Sequence, residues 1–385
     1  MTFQVSRKEG FDLRTLYLGK SRRVVVKVGS AVLTGDDGLN LPVMENLASE
    51  ISFLRSSGKE VILVSSGAVA AGRKRLGLET HRKLGLKEKQ GAAAIGQSRL
   101  MRFYEDIFER QGYKVAQVLL THDDLSNRNR YLNVRNTILT LLEWEIIPII
   151  NENDTVSVEE LRFGDNDTLG AMITNLIEAE LFICLTDVDG LYTGNPHSDP
   201  EAKPVYTIAK VDRKVEAMAG YVVGALGTGG MQSKIQAARM VSMRGGSSFI
   251  GSGRRPYILQ HLFAGEAVGT FFLPQAEKLQ SRKHWIAYVL RPKGYLVLDQ
   301  GACKAIVKGG KSLLPSGILE VRGNFGIGSP VQCLDETGGA IATGLSNYSS
   351  TDLAKIKGLK TGQIEEVLGF KDSDEVIHRD NLVVL

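Results

Sequence analysis

The stretch "RRVVVKVGSAV", residues 22–32, runs from β-branched residues into a glycine and a serine, with Lys27 set just before the junction. Three valines in a row followed by Val28 show no polar alternation. That is the pattern of a strand buried on both faces, as in parallel sheets. An ammonium group at the end of such a strand needs an anionic partner, because an unpaired buried charge costs several kcal/mol or more. Two partners would serve: a carboxylate acting as structural glue, or a bound anion where the strand opens.

Outward from this strand the pattern repeats. Strands are expected over 24–28, 61–65, 114–120, 146–150, 181–186 and 248–250, and helices over 43–56, 67–75, 90–111, 131–143, 167–177 and 231–243. Alternation of this kind predicts a mostly parallel sheet with helices on both faces. Ligands then belong at the carboxyl ends of the strands. After Pro274 the texture changes. A polar segment, 275–290, reads as a linker, and short β-like pieces follow, among them "GYLVLD", "AIVKGG" and "GAIATGLSNYS", with one helix near 350–357. The expected division is an N-terminal extension over 1–22, an α/β domain over 23–274, the linker, and a small β-rich domain over 291–385.

With 385 residues the chain is long enough for two such domains. Its three cysteines, Cys184, Cys303 and Cys333, show no metal-ligand spacing and no disulfide framework, which suits a reducing compartment. The first residues lack the apolar core of a signal peptide, and no apolar run approaches the ~18 residues needed to cross a bilayer. A cytoplasmic protein with no membrane partner is expected. The net charge of +4 suits an anionic small molecule without implying nucleic acid.

Two glycine-rich junctions stand out. "VILVSSGAVAAG" passes from a buried strand through Ser66-Gly67 into a small-residue helix. It reads either as a tight turn with a serine cap or as backbone N–H groups facing an anion. In "GALGTGGMQSKIQAARM", residues 224–240, four glycines precede an amphipathic helix that carries Lys234 on its first turn. The helix dipole disfavours a cation there, and a bound polyphosphate would reverse that sign. The bland reading is a solvated lysine after a hinge. "AIVKGGKS" is not a P-loop, since Ala305 replaces the first glycine and no helix follows.

Acidic and amide residues gather at two further strand or helix ends. "PIINENDTVS" closes a buried strand in Asn151-Glu152-Asn153-Asp154, and "FGDNDTLGAMI" places Asp165-Asn166-Asp167 at a helix start, where capping is the simple reading. Together they offer acceptors for an ammonium group or Mg²⁺ and amide donors for a carboxylate. "LFICLTDVDGLYT" ends a third strand in Thr186-Asp187, which reads equally as turn chemistry or as a frame for a nucleotide base. The six histidines have no recurring acidic or cysteine partner, and no nucleophile elbow occurs, so hydrolase and metalloenzyme readings fall away. What remains is two lysines beside glycines, amide and acidic clusters for an amino acid, and no general base. Phosphoryl transfer needs positioning and charge neutralisation above all. A carboxylate acceptor is already ionised at neutral pH.

The motifs "VVVKVGSAVLTG", "VILVSSGAVAAG", "AAIGQSRLM", "IIPIINENDTV", "FGDNDTLGA", "LTDVDGLYT" and "ALGTGGMQSK" occur in that order between residues 23 and 274. In them the chain resembles the amino acid kinase superfamily, and within it the glutamate 5-kinase family. The tail from about Arg291 resembles the PUA domain. The resemblance implies an αβα sandwich with a mostly parallel central sheet, the amino acid kinase fold, followed by a PUA-like domain. It implies ATP- and Mg²⁺-dependent conversion of L-glutamate to L-glutamyl 5-phosphate, the first step of proline synthesis. By motif, Lys27 and Lys234 would stabilise the moving phosphoryl group and Asp167 would organise the two ammonium groups. Ser66, Asp154 and Asn166 would bind glutamate. Lys27, Thr186 and Asp187 would contact ATP, and Thr228, Gly229, Gly230, Met231, Gln232, Ser233 and Lys234 would wrap its phosphates. No direct metal ligand is assigned, since Mg²⁺ comes mainly through the phosphates. L-Proline as feedback inhibitor and a homo-oligomer, dimer or tetramer, also follow from the resemblance. The extension over 1–22 and Arg162 lie outside the pattern.

PUA domains are often RNA-binding, so a second class of function arises: an RNA-binding protein with a vestigial kinase domain. From Trp285 to Leu385 there are 11 Lys+Arg and 11 Asp+Glu, whereas phosphate-dominated binding wants a positive excess. RNA is therefore disfavoured as a partner. Within the enzymes, N-acetylglutamate or aspartate is the alternative substrate.

Overall fold

The structure, a computed structural model, describes residues 6–35, 38–79, 82–157, 165–194, 199–218, 230–275, 283, 286 and 289–385. It divides into two compact units, Met1–Lys278 and Leu279–Leu385.

In the first unit the strands of the main sheet are β1 (Arg23–Val28), β2 (Glu60–Ser65), β3 (Val115–Leu120), β4 (Ile147–Glu152), β5 (Leu181–Thr186), β6 (Thr207–Ile208), β7 (Ser247–Ser252) and β8 (Thr270–Phe272). Among the described residues they form one eight-stranded sheet in the order β6-β8-β7-β5-β1-β2-β4-β3. β1 lies inside it, parallel to both β2 and β5, with Lys27 opposite Val64 on one side and Cys184 on the other. The β7–β8 ladder is antiparallel, and every other pairing in this sheet is parallel. The mostly parallel sheet expected from the sequence is present.

Its helices include α1 (Arg7–Lys20), α2 (Leu41–Ser56), α3 (Ala68–Arg75), α4 (Leu86–Glu109), α5 (Arg128–Glu143), α6 (Asn166–Leu176), α7 (Met231–Met243) and α8 (Ile258–Phe263). Side chains alternate across a strand. Val24, Val26 and Val28 enter a core with Leu47, Ile51 and Leu54 of α2 and Leu100, Tyr104 and Phe108 of α4. Val25 and Lys27 point to the other face, which α6 covers. A Cβ built on Gly170 of α6 would lie 3.4 Å from the Cβ of Lys27. Both faces of β1 are therefore inside, which is why its sequence lacks polar alternation. All four valines are fully buried, each stabilising the fold by about 1.5–3 kcal/mol.

The described part of the N-terminal extension, residues 6–22, carries a capped helix that packs against the rest of the first unit. Ser6 caps α1 by accepting the Glu9 N–H, and Leu18 and Arg14 are buried. The Arg14 guanidinium sits among the rings of Phe11, Phe249 and Phe271 at 5.6–6.0 Å and donates to the Val268 carbonyl at 2.8 Å. Burial pulls its pKa down to about 10. A buried face centred on an arginine leaves no apolar stripe to read, so the helix was hidden in the sequence.

In the second unit β9 (Gly294–Leu298), β10 (Ile318–Gly323), β11 (Pro330–Leu334), β12 (Ala340–Leu345) and β13 (Leu382–Val384) form a sheet in the order β10-β9-β11-β12-β13. The segment "AIVKGG" is a correction: it belongs to helix α9 (Gln300–Gly309), not to a strand. Asp299 caps it by accepting the Ala302 N–H at 2.7 Å, and Gly310, at φ +56°, ends it in the left-handed region that glycine favours. The lysine and glycines thus close a helix rather than open one, so the P-loop resemblance has no structural basis. Helix α10 (Ser350–Ile356) lies where a helix was expected. Of the linker over 275–290, residues 275, 283, 286, 289 and 290 are described.

Candidate active site

Because β1, β2, β4 and β5 are parallel, their carboxyl ends share one edge of the sheet. Lys27 is the next-to-last residue of β1. α6 meets it from above. Asp165 caps that helix, its Oδ1 accepting the Thr168 N–H at 2.9 Å. Asp167 falls on the first turn, where the helix dipole favours a carboxylate. The reach of α6 depends on Gly170, because a Cβ there would come within 2.6 Å of the Phe182 ring. Gly170→Ala is expected to destabilise the protein by about 1–3 kcal/mol through overpacking. Urea unfolding reads this directly, and an unchanged midpoint would show that the helix is not seated by this contact.

Asp167 is only 1% exposed, yet it is ionised and saturated with donors. Its Oδ1 takes the Lys27 ammonium and, at 3.3 Å, the Cys184 thiol. Its Oδ2 takes Lys234 at 3.1 Å and the Ser233 hydroxyl at 2.7 Å. Burial works to raise the Asp167 pKa, but the two lysine charges outweigh it and hold the carboxyl well below the usual carboxylate range. For Lys27, burial pulls downward, but the charge of Asp167, its hydrogen bond and the smaller contributions of Cys184 and Asp165 together outweigh it, so the ammonium titrates above its ordinary range. Burial first, and then the neighbouring Asp167 charge, push Asp165 upward. The same two causes push the Cys184 thiol up to about 12.

The open question about Lys27 is thereby settled in part: its protein partner is Asp167. One carboxylate serves two buried ammonium groups, however, which leaves an excess of positive charge among the three. Lys234 stands on the first turn of α7, where it would be disfavoured alone, and its Nζ also approaches the Gly230 carbonyl at 3.4 Å.

A second cluster joins the same edge. Asn166, next to Asp167, donates from Nδ2 to Ser66 Oγ at 2.7 Å, Asn151 Oδ1 at 3.1 Å and the Ser65 carbonyl at 3.2 Å. Behind it, Asn151 donates to Gln97 at 2.9 Å, and Ser65 Oγ and Tyr104 Oη lie 2.8 Å apart. Asp154 sits half-buried in the turn after β4. At the end of β5, Thr186 donates to Asp187 Oδ1 at 3.0 Å. On α7, Met231 is buried, whereas Gln232 and Gly230 are exposed, and Ser233 Oγ also donates to the Gly230 carbonyl at 2.8 Å. Thr228, Gly229 and Arg162 lie outside the described residues.

The structure therefore brings Lys27, Asp167, Ser233 and Lys234 into one contact set and Ser66 and Asn166 into another, joined through adjacent residues of α6. In the sequence Asn151 stands out only as part of the amide and acidic cluster that closes β4, and Cys184, Gln97 and Tyr104 do not stand out as site residues. Gln97 and Tyr104 lie seven residues apart on one helix face, a period that was readable. Cys184 becomes visible only through the β1–β5 register.

The sequence matches the amino acid kinase family over residues 22–252 and the PUA domain over residues 294–368. It is 59% identical over 374 residues to the glutamate 5-kinase of Desulfotalea psychrophila, covering 97% of this chain and all of that relative. The glutamate 5-kinases of Geobacter sulfurreducens and Syntrophus aciditrophicus are each 50% identical, covering 97% of this chain and 100% and 96% of those relatives. With a match over more than half its length and relatives this similar from end to end, the chain belongs to the amino acid kinase family.

Proposed function

We propose that this chain transfers the γ-phosphoryl group of ATP to the side-chain carboxylate of L-glutamate, giving L-glutamyl 5-phosphate and ADP. The bond from the γ-phosphorus to the β,γ-bridging oxygen breaks, and a new bond forms from that phosphorus to a carboxylate oxygen of glutamate. The observation that carries the reading is a single buried carboxylate, Asp167, holding two buried lysines against its two oxygens. Negative charge on the three equatorial oxygens of the transferring group is what such a pair neutralises. No base is required, because the acceptor is ionised at neutral pH.

In this reading Lys27 and Lys234 stabilise the phosphoryl group and Asp167 fixes the distance between them. Ser66, Asp154 and Asn166 take glutamate. Thr186, Asp187 and the segment from Thr228 to Lys234 take ATP. Mg²⁺ enters as the ATP complex, because both oxygens of Asp167 are already committed to protein donors. L-Proline acting at the glutamate site and a homo-oligomeric assembly belong to the same reading, supported by the resemblance to glutamate 5-kinases.

The test is purified protein with ATP, Mg²⁺ and hydroxylamine, scored for acyl-hydroxamate with L-glutamate, N-acetylglutamate and aspartate in parallel. Hydroxamate with glutamate above the other acids is expected. Preference for another acid overturns the substrate, and no ATP turnover with salt-sensitive RNA retention overturns the kinase reading.

A further inference from the structure

We infer that Gln97 and Asn151 lock the Asn166 side chain in one orientation, so that it offers a ligand a carbonyl oxygen and no N–H, and thereby selects an amino acid with a free ammonium group. This rests on the glutamate-binding role proposed above for Asn166.

Two backbone groups set the polarity of the whole chain of amides. The Ser65 carbonyl, 3.2 Å from Asn166, can only accept, so the atom facing it is Nδ2. The Glu152 N–H, 2.9 Å from Asn151, can only donate, so the atom facing it is Oδ1. Asn151 must then present Nδ2 at its other end, where Gln97 Oε1 receives it at 2.9 Å. The two hydrogens of Asn166 Nδ2 are shared among three acceptors, Ser65 O, Ser66 Oγ and Asn151 Oδ1, and none is left for a ligand. Asn166 Oδ1 has no hydrogen-bond partner among the described residues, and the residue is half-buried.

An ammonium group brings three donors to such an oxygen. A carboxylate or an acyl carbonyl would bring lone pairs against lone pairs. An N-acetylated amino acid has lost two of those donors and gained a carbonyl. Asn151 and Gln97 are 3% and 9% exposed, so water cannot readily replace a lost partner, and a flipped amide would leave buried groups unpaired. Gln97 is a positioning residue: it touches Asn151, and Asn151 touches Asn166.

Gln97→Leu removes the acceptor at similar size, Gln97→Met does so with an unbranched chain, and Gln97→Glu keeps an oxygen for Asn151. In Gln97→Leu and Gln97→Met the KM for glutamate is expected to rise about tenfold, with kcat and the KM for ATP within about twofold of wild type. In both, the ratio of kcat/KM for N-acetylglutamate to that for glutamate should rise, because an Asn151 side chain no longer held by Gln97 can move off Asn166 and leave one Nδ2 hydrogen for a ligand, while Nδ2 still faces the Ser65 carbonyl. Gln97→Glu should restore both quantities. Asn166→Asp should raise the KM for glutamate more than any Gln97 variant despite adding charge, since it sets an oxygen against the Ser65 carbonyl.

An unchanged KM and ratio in the Leu and Met variants, equal loss in Gln97→Glu, or an Asn166→Asp enzyme that binds glutamate as well as wild type would overturn the inference. Should wild type use N-acetylglutamate as well as glutamate, the selection fails while the kinase reading stands. Should it phosphorylate neither, the kinase reading fails and takes this inference with it.

Discussion

Lys27→Ala and Lys234→Ala are each expected to lower kcat for glutamate phosphorylation by about 10²–10³ or more, the loss found when one aligned donor to a developing charge is removed. The expectation follows from where the two ammonium groups sit. Both are more than nine-tenths buried and both touch Asp167. Low exposure magnifies their field on a transferring group and removes the water that could substitute for either. Stability should change far less than rate. When one lysine goes, Asp167 keeps the other, together with the Ser233 hydroxyl and the Cys184 thiol. Steady-state kinetics at saturating ATP and glutamate, set beside thermal melts, separates the two effects. A variant that melts like wild type and turns over at a comparable rate would remove that lysine from the mechanism.

Asp167→Asn is expected to behave differently and to damage the fold itself. Removing the one carboxylate leaves two buried ammonium groups facing an amide, and breaking a buried pair in this way costs about 3–5 kcal/mol. The sign of its pH dependence follows from the shifts. The Asp167 carboxyl titrates below its unfolded value, so its stabilising contribution is present above about pH 4 and is lost as pH falls below that. Lys27 titrates above its unfolded value, so its contribution is present below about pH 10 and is lost as pH rises further. The melting temperatures of wild type and Asp167→Asn should therefore differ most between those limits and converge in acid. A constant difference down to pH 3 would mean that the carboxylate charge is not what the two lysines require.

The sheet was legible because burial on both faces writes itself into the sequence as unbroken apolar runs. β1, β2, β4 and β5 all read that way, and the helices between them carried their own period. The geometry of the candidate site was only half legible. Lys27 and Lys234 could be picked out as charges in awkward places, and Asp167 only as one of a cluster at a helix start. That a single carboxylate binds both lysines depends on Gly170 letting α6 settle against Phe182, a packing fact with no local signature. Cys184 reads as one more apolar residue in a buried strand until register sets it opposite Lys27. α1 was missed because its buried face is built around Arg14. "AIVKGG" was misread because a β-branched pair before two glycines resembles a strand end, while the cap that makes it helical, Asp299, stands six residues upstream of Ala305.

The central claim is that the two lysines close on the same phosphoryl group in flight, and its most direct measurement is inhibition by a planar mimic of that group. With glutamate present, ADP and aluminium fluoride should inhibit the wild-type enzyme at least ~100-fold more tightly than ADP alone, as a transition-state analogue does. That gain should disappear in Lys27→Ala and in Lys234→Ala alike. If either variant holds the planar mimic as tightly as wild type does, the two ammonium groups do not share the transferring group, and the account is contradicted.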